Sequence, residues 1–508
     1  MIVAGAACSS GDDADPAPVD PNETDIDGGK GDGSGGPGDD GGGTGEPATC
    51  TMDAPVTLTL EEKRLANKLP GKSVPFATEL LTGTGFDVFE KTFSEELCKN
   101  GIAGASTFDT AKTLVASSGR KLWQAAVGRV QGTRPSGTLP KGDDRMLYWA
   151  RLTMTKTLRA WNPSFGLSAD QRKDLEWELE RASRGQDDIK LPVGPSYVRI
   201  VLSGFDPFTL GDPDPAPPTS NIRIGNPSGA SALAFDGLEF SLPSGKTAHV
   251  ETFVLPVNYG PFERGMQEDA LGPWLQPGPS QAHIAITMSQ GSGFRFKLEE
   301  YNGRFHGEFE GNDGLITCTA PTPLASSPGC NIAPPKKWLG YDPSPWQKDK
   351  PPQFVDSTLP IGAMIGANTG AQVTPPPGTQ ASNGNAFDVV WGYDFETFPD
   401  CSQSGTQLFY SPVSTTYPPP GNPQPPSASS CARSGSGGDY LSNESAYRAT
   451  MLRDALGLTI PVGHIHTPVM TRFQVGNDSA VTDATFEAYR TAIVQQGQLL
   501  IEAVAKSL

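Results

Sequence analysis

The sequence lacks several features that define common classes of protein. It contains no Cys-x-x-Cys pair, which argues against a structural zinc site. No run of 18 apolar residues is present, so no transmembrane helix is expected. Lys and Arg number 39 against 57 Asp and Glu, giving a net charge of −18, and the basic residues form no stripe. Because binding DNA or RNA requires a basic face, this composition argues against a nucleic-acid partner.

The 508-residue chain is rich in glycine (59) and proline (48), and part of this excess lies near its start. Residues 9–49 are almost entirely Gly, Asp, Pro, Ser and Glu, without apolar periodicity. Such a segment cannot bury enough apolar surface to offset its ordering entropy, which predicts a disordered acidic linker.

Seven cysteines are present, and six of them fall as sequence neighbours in loop-rich segments. This even set predicts disulfides and an oxidising compartment, although six cysteines allow fifteen connectivities. The neighbours are Cys50 with Cys98, Cys318 with Cys330, and Cys401 with Cys431.

The remaining cysteine, Cys8, ends a segment that resembles the end of a bacterial lipoprotein signal. Small residues precede it within residues 1–8, and a flexible acidic linker follows. We therefore expect lipid attachment at Cys8 and an extracytoplasmic, lipid-anchored location in a bacterial cell envelope. The alternative is a free thiol in a frayed terminus. No contact with a membrane is expected other than through this anchor.

Beyond the linker, the hydrophobic pattern changes once. Residues 50–193 show apolar positions at helical spacing, which predicts a helical extension, and Ser168 with Gln171 resembles a capping box. From 196 to 508, short apolar strands alternate with helices, typical of a three-layer α/β/α domain. Two Pro-rich insertions, about 318–350 and 401–435, interrupt this part.

Five short motifs occur one after another along the α/β part. Each motif is weak alone, but five in register over residues 196–508 make chance a poor explanation. The motifs are Ser203–Phe208 (Ser-Gly-Phe-Asp-Pro-Phe), Asn226–Ser228 (Asn-Pro-Ser), Leu255–Val257 (Leu-Pro-Val), Ser357–Ile361 (Ser-Thr-Leu-Pro-Ile) and His464–Pro468 (His-Ile-His-Thr-Pro). In this order the motifs resemble those of the pyroglutamyl peptidase I family of cysteine peptidases, and the resemblance implies a pyroglutamyl-peptidase-like α/β fold.

The resemblance also implies three catalytic residues and no metal or cofactor. Gly438–Asn443 matches the family's nucleophile segment, with Ser442 where the family has cysteine. His466 corresponds to the base and Glu299 to the acid that orients it, with Glu300 as the alternative. Both carboxyls could instead belong to a solvated charged face.

Four apolar residues correspond to the family's pocket for the pyroglutamyl ring, which a flat lactam fills by stacking and area burial. Ordinary core packing is the alternative for all of them. These residues are Phe205, Phe208, Tyr440 and Leu441.

Ser442 leaves two interpretations of function open. A cysteine at a helix start gains thiolate stabilisation from the helix dipole and a nearby histidine, whereas a serine hydroxyl gains much less. In the first interpretation, Ser442 is the nucleophile of a hydrolase (an omega-peptidase) that releases pyroglutamate from peptide N-termini. In the second, the chain is a silenced homologue that acts as an envelope binding or structural protein, and Ser442 serves as a helix N-cap.

Overall fold

The structure is a computed structural model. It describes residues 50–99, 105–213, 219, 221–317, 329–333, 351–379, 381–398, 408–410, 413–419, 421 and 423–508. The predicted linker and Cys8 lie outside the described residues, as do most of the insertion at 318–350 and a smaller part of the insertion at 401–435.

A mixed eight-stranded sheet forms the centre of the α/β part, with strand order β11-β8-β5-β13-β4-β1-β3-β2. Strands β3, β1, β4 and β13 run parallel to one another, and β5 pairs antiparallel with β13. The strands are β1 Tyr197–Phe205, β2 Leu238–Ser241, β3 Thr247–Leu255, β4 Ile284–Gln290, β5 Phe296–Glu299, β6 Tyr301–Gly303, β7 Phe354–Asp356, β8 Val389–Gly392, β9 Phe395–Phe398, β10 Leu408–Tyr410, β11 Val413–Ser414, β12 Cys431–Ser434 and β13 Val462–Thr467.

Helices precede the sheet and cover it. They are α1 Leu60–Lys63, α2 Phe76–Thr84, α3 Asp87–Leu97, α4 Phe108–Gln131, α5 Met146–Ala160, α6 Ala169–Ala182, α7 Pro227–Phe235, α8 Tyr259–Glu263, α9 Met266–Leu275, α10 Ile361–Gly366, α11 Leu441–Ala455 and α12 Ala484–Lys506. The prediction of an α/β domain preceded by a helical extension is confirmed.

The central strands bury side chains on both faces, because successive residues of a strand point to opposite sides of the sheet. On β1, Ile200 and Leu202 join one hydrophobic cluster with residues of α7 and α12. Val201 and Phe205 join a second cluster with residues of α9 and α11. Helices therefore cover both faces of the sheet, which gives the predicted three layers.

The helical extension shares its core with the first of these clusters. Trp123 of α4 and Trp149 of α5 are fully buried in the same cluster as Ile200 and Leu202. Helix α4 packs directly against α7, which itself lies on β1 and β3. The described residues of the extension and of the α/β part accordingly form one compact unit.

Helix α6 begins where the capping-box pattern places it. Ser168 Oγ accepts a hydrogen bond from the Gln171 amide at 3.1 Å, and Gln171 Oε1 accepts from the Ser168 amide at 3.0 Å. Two of the otherwise unpaired amides at the helix start are thus satisfied, and this prediction is confirmed.

Buried ion pairs connect the helical extension to the turn that follows β1. Asp206, in this turn, accepts hydrogen bonds from Arg151 of α5 and from Arg184, which lies just after α6, both at 2.5 Å. All three side chains are at most 4% exposed. The conformation of the turn that carries Phe205 and Phe208 therefore depends on residues of the extension.

Cys50 and Cys98 form a disulfide, as the neighbour pairing predicted. Cys330 and Cys431 are also disulfide-bonded, while Cys318 and Cys401 lie outside the described residues. Disulfides of this kind are typical of proteins in oxidising compartments. Among the described helices, none is long and apolar enough to cross a membrane.

Candidate active site

His466 lies on β13, between β4 and β5 in the centre of the sheet. Its backbone pairs with Ser289 on β4 and with Lys297 on β5. The side chain is 12% exposed. This position near the end of a central strand fixes the imidazole while leaving part of its edge accessible from outside the sheet.

Glu299, the last residue of β5, contacts this histidine. Its Oε1 atom lies against Nδ1 of His466, and the carboxylate is fully buried. Burial is the largest single influence and raises the pKa of Glu299, but the attraction and hydrogen bond of His466, together with His464 and Lys297, outweigh it and lower that pKa to about 2. Glu299 is therefore ionised at neutral pH and is placed to orient the imidazole.

The neighbouring Glu300, the sequence alternative for this role, points elsewhere. Its Oε2 atom accepts a hydrogen bond from Trp391 Nε1 at 2.9 Å. Successive strand residues face opposite sides, so only one of the two carboxylates can reach His466. In the structure, the carboxylate that contacts His466 is that of Glu299.

His464 is a further residue of the site to which the sequence analysis gave no role. Its Nδ1 hydrogen-bonds with Thr287 Oγ1 at 2.7 Å and its Nε2 with Ser289 Oγ at 2.8 Å. Burial lowers the pKa of His464 to about 3, so the ring is neutral at pH 7. The His-x-His spacing on a strand, which places both rings on one face, was the available signal.

Glu299, His464 and His466 bring three metal-ligating atoms within 4.8 Å of one another. Both ring nitrogens of His464 already hydrogen-bond to hydroxyl groups, and the ring is completely buried. A cation would have to displace one of these hydrogen bonds and the Glu299–His466 contact. The donor set fits a histidine oriented by a carboxylate better than a metal centre.

Ser442 is the second residue of α11, and Tyr440 is the N-cap without a side-chain hydrogen bond. The alternative in which Ser442 caps this helix is therefore wrong, because the helix begins one residue before it. Its hydroxyl instead donates to the Gly437 carbonyl at 3.0 Å, and the residue is 9% exposed. In this rotamer the hydroxyl proton is directed at Gly437 and not at His466.

The glycine turn before α11, whose Gly437 carbonyl accepts a hydrogen bond from the Ser442 hydroxyl, lies close to Glu299. A Cβ atom on Gly437 would lie only 2.6 Å from Glu299 Oε2, so a side chain at 437 would collide with the carboxylate. A Cβ atom on Gly435 would lie 2.2 Å from Asn443 Oδ1. The absence of side chains at these two positions lets the nucleophile segment approach β5 closely.

Asn443 fixes the start of α11, a role that the motif did not reveal. Its Nδ2 donates to the carbonyls of Gly303 and Phe305, both at 2.8 Å, and its Oδ1 accepts from the Gly303 amide at 2.9 Å. The side chain is fully buried. Asn443 thereby positions the neighbouring Ser442 relative to β6.

Two of the four predicted ring-binding residues line a pocket beside α11. The rings of Phe208 and Tyr440 are 6.5 Å apart at 33°, and the Tyr440 hydroxyl donates to the Glu310 carbonyl at 2.9 Å. Phe205, stacked on Phe262 at 6.1 Å, and Leu441 are both buried in the core. Both belong to the buried cluster against which Phe208 and Tyr440 pack.

The helical extension forms another wall of the same pocket, which has a volume of about 760 Å³. Leu60 of α1 and Arg64, directly after it, face Phe208, Phe309 and Tyr440 across the cavity. The sequence analysis assigned no site residue to the extension, because its contribution depends on contacts between distant parts of the chain.

Family models match both parts of the chain. Residues 43–180 match the PA0049 N-terminal domain, and residues 199–471 match the PA0049 C-terminal domain. The chain belongs to the PA0049 family. The uncharacterized protein PA0049 of Pseudomonas aeruginosa is 46% identical over 506 residues, covering 90% of this chain and 91% of the relative.

Solved structures with similarity to the chain include peptidases. A mutant pyrrolidone carboxyl peptidase from Pyrococcus furiosus is 17% identical with a TM-score of 0.34, covering 61% of this chain and 99% of the peptidase. The pyroglutamyl peptidase I of Bacillus amyloliquefaciens is 15% identical with a TM-score of 0.29, covering 59% and 95%.

Proposed function

We propose that this member of the PA0049 family is a serine hydrolase that releases pyroglutamate from the N-termini of peptides. Ser442 is the nucleophile, His466 the general base and Glu299 the carboxylate that orients it. The observation that carries the proposal is the contact between the buried, ionised Glu299 and Nδ1 of His466. This contact directs the Nδ1 proton to the carboxylate and leaves Nε2 to accept a proton.

The first step requires Ser442 to turn from Gly437 towards the imidazole, by rotation about χ1. Its Oγ then attacks the carbonyl carbon between pyroglutamate and the next residue, while Nε2 of His466 takes the hydroxyl proton. Amides in the first turn of α11 have no acceptor within the helix, so they can stabilise the negative charge on the carbonyl oxygen.

The second step returns the proton and releases both products. His466 donates its proton to the leaving amine, the C–N bond breaks, and a pyroglutamyl ester with Ser442 remains. Water then attacks this ester with His466 again as the base, which frees pyroglutamate and restores the hydroxyl. Glu299 stabilises the imidazolium in both halves of the reaction.

A fluorogenic pyroglutamyl amide tests this proposal. We expect turnover by the wild type, and a loss of about 10³-fold or more in kcat/KM for Ser442→Ala. Thr450→Ser, a matched hydroxyl variant further along α11 that keeps its bond to the Ala446 carbonyl, should retain activity. Unchanged turnover in Ser442→Ala would overturn the assignment of the nucleophile.

A second candidate is a silenced homologue that binds pyroglutamyl peptides without cleaving them. The hydrogen bond from Ser442 to Gly437, which directs the hydroxyl away from the base, favours this candidate. It predicts no turnover by the wild type, with turnover gained in Ser442→Cys because a thiolate needs no proton transfer during attack.

For the location, we propose an extracytoplasmic protein attached to a bacterial cell envelope through a lipid on Cys8. The signal-like residues before Cys8 and the Cys50–Cys98 disulfide support this proposal. Metabolic labelling with a radioactive fatty acid should label the wild type and not Cys8→Ala. Equal labelling of both would contradict the anchor.

A further inference from the structure

Arg64 of the helical extension adds a positive charge to the wall of the pocket that Phe208 and Tyr440 line. Arg64 is 7% exposed, and its aliphatic part and guanidinium lie between two loops of the α/β part. Its Nε donates to the Gly211 carbonyl at 3.0 Å and its Nη1 to the Asn312 carbonyl at 2.6 Å. These bonds fix the guanidinium in one orientation.

The third nitrogen of this guanidinium is available to a ligand. Arg64 Nη2 makes no hydrogen bond to any residue in the described part of the chain, and Arg64 forms no ion pair there. Burying a guanidinium without an anionic partner costs free energy unless a carboxylate, another acceptor or water accepts the remaining hydrogen bonds. Because the other two nitrogens are fixed, binding at Nη2 requires little loss of side-chain entropy.

The remaining walls fit a short peptide. Phe309 is 54% exposed although it contacts Tyr440 edge-on, with ring centroids 6.2 Å apart. Phe208 and Leu60, both half-buried, complete an apolar surface around Arg64. An apolar pocket with one fixed cation matches a ligand that combines an apolar group with a carboxylate.

Two acidic side chains also line this pocket and oppose an anionic ligand. Asp212 and Glu310 are both exposed at the rim, where water and salt screen their charges. Arg64 is buried, so its interaction with a bound carboxylate is screened much less. Asp313 lies near enough for Arg64 to lower its pKa, although burial raises that pKa overall.

We infer that Arg64 is a specificity-determining residue, which selects short pyroglutamyl peptides carrying a carboxylate after the pyroglutamyl ring. The carboxylate can be the C-terminus of a dipeptide or an acidic side chain. This inference rests on the proposed function for the position of the ring, but it concerns binding and not cleavage. It also gives the helical extension a role at the site.

Calorimetric binding to Ser442→Ala protein, which does not consume the peptides, tests the inference. The probes are pyroglutamyl-alanine, pyroglutamyl-alanine amide, and pyroglutamyl-glutamic acid α-amide, whose only carboxylate is on the side chain. We expect pyroglutamyl-alanine to bind about tenfold or more tightly than its amide. Tighter binding of the α-amide of the glutamyl peptide would instead identify a side-chain carboxylate as the group recognised.

Arg64→Gln in the same background should abolish the preference for the carboxylate and leave affinity for pyroglutamyl-alanine amide within about twofold. The control is Arg120→Gln, which removes the same charge from α4, away from the pocket, and should keep the preference. Equal weakening of the acid and the amide in Arg64→Gln would mean that Arg64 only supports the loops, and would overturn the inference.

If Arg64→Gln does not fold, Arg64→Lys replaces it. Lysine keeps the charge but carries all of its donors on one nitrogen, which cannot reproduce the planar geometry that reaches two separate carbonyls and a ligand, so the preference should shrink without vanishing. An unchanged preference in Arg64→Lys, or no difference between acid and amide in the parent protein, would overturn the inference. Turnover of pyroglutamyl amides without such a difference would leave the proposed hydrolase intact. If the wild type did not turn over pyroglutamyl amides but the acid still bound more tightly than the amide, the role of Arg64 would stand and the proposed hydrolase would be overturned.

Discussion

Nδ1 of His466 lies against the fully buried Oε1 of Glu299, while the adjacent Glu300 accepts a hydrogen bond from Trp391. Two carboxylates that are neighbours in sequence thus have different surroundings. One is ionised beside an imidazole, and the other supports a tryptophan. The difference allows the orienting role to be tested by a pair of matched substitutions.

Glu299→Gln should lower kcat on a pyroglutamyl substrate by about 10²- to 10⁴-fold, with a smaller change in KM. A neutral amide cannot stabilise the imidazolium and can hold the wrong tautomer. Glu300→Gln is the control, since its side-chain oxygen can still accept from Trp391 Nε1. Comparable losses in the two variants, measured by steady-state kinetics, would contradict the role of Glu299.

Acid should destabilise the protein through His464. The pKa of His464 is about 3 in the folded state against 6.5 for a free histidine, so only the unfolded state binds this proton between these values. The free energy of unfolding therefore falls as pH falls below about 6.5, by about 2 kcal/mol at pH 5 from this residue alone. Urea unfolding at pH 7 and pH 5 measures this fall in the free energy of unfolding.

His464→Gln, which does not titrate, is the comparison for that experiment. Its free energy of unfolding should change less between pH 7 and pH 5 than that of the wild type. An identical change in both proteins would mean that His464 is not kept neutral by burial. Glu299 contributes little in this window, because its pKa of 4.5 in the unfolded chain and of about 2 in the folded protein both lie below pH 5, and its stabilisation is lost between those two values.

Asp206→Asn should lower the free energy of unfolding by on the order of 3 kcal/mol, because it removes the buried carboxylate that Arg151 and Arg184 share and leaves them only the partly exposed Glu180. The control, Asp187→Asn, removes a carboxylate that pairs with Arg181 at a site more than a fifth exposed. That change should cost about 1 kcal/mol or less. Equal destabilisation in urea titrations would contradict the importance of the buried pairs.

Cys50→Ser should also destabilise the helical extension. The Cys50–Cys98 bond closes a loop with a sequence separation of 48, for which chain entropy gives about 4 kcal/mol. Thermal melting of the variant, compared with the wild type in oxidising buffer, measures the loss. Reduction of the wild type with dithiothreitol should produce a shift in the same direction, and no shift in either experiment would contradict the effect.

The sequence was sufficient to predict a helical extension followed by an α/β part in which strands alternate with helices. Helix and strand periodicity and the capping box at Ser168 are local signals, and the structure contains the corresponding elements. The start of α11 was predicted less well, since Tyr440 and not Ser442 is its N-cap. Boundaries depend on contacts such as those of Asn443 with β6, which no local pattern reveals.

The site could be predicted only as a set of residues and not as an arrangement. Glu299 and His466 are 167 positions apart, and their contact follows from the pairing of β5 with β13. The hydrogen bonds of His464, the two glycines before α11 and the part of Arg64 in the pocket also depend on tertiary packing. Motif spacing carries no information on these contacts.

The position of Arg64 in the chain has a consequence for biosynthesis. Its acceptor at Asn312 lies 248 residues further along, so translation at 5–20 residues per second separates the two by roughly 12–50 s. Loop closure over such a distance is entropically costly and comes late in folding. The segment around Arg64 is therefore synthesised early but is among the last to reach its native contacts, and a nascent chain has an incomplete pocket until its C-terminal half has folded.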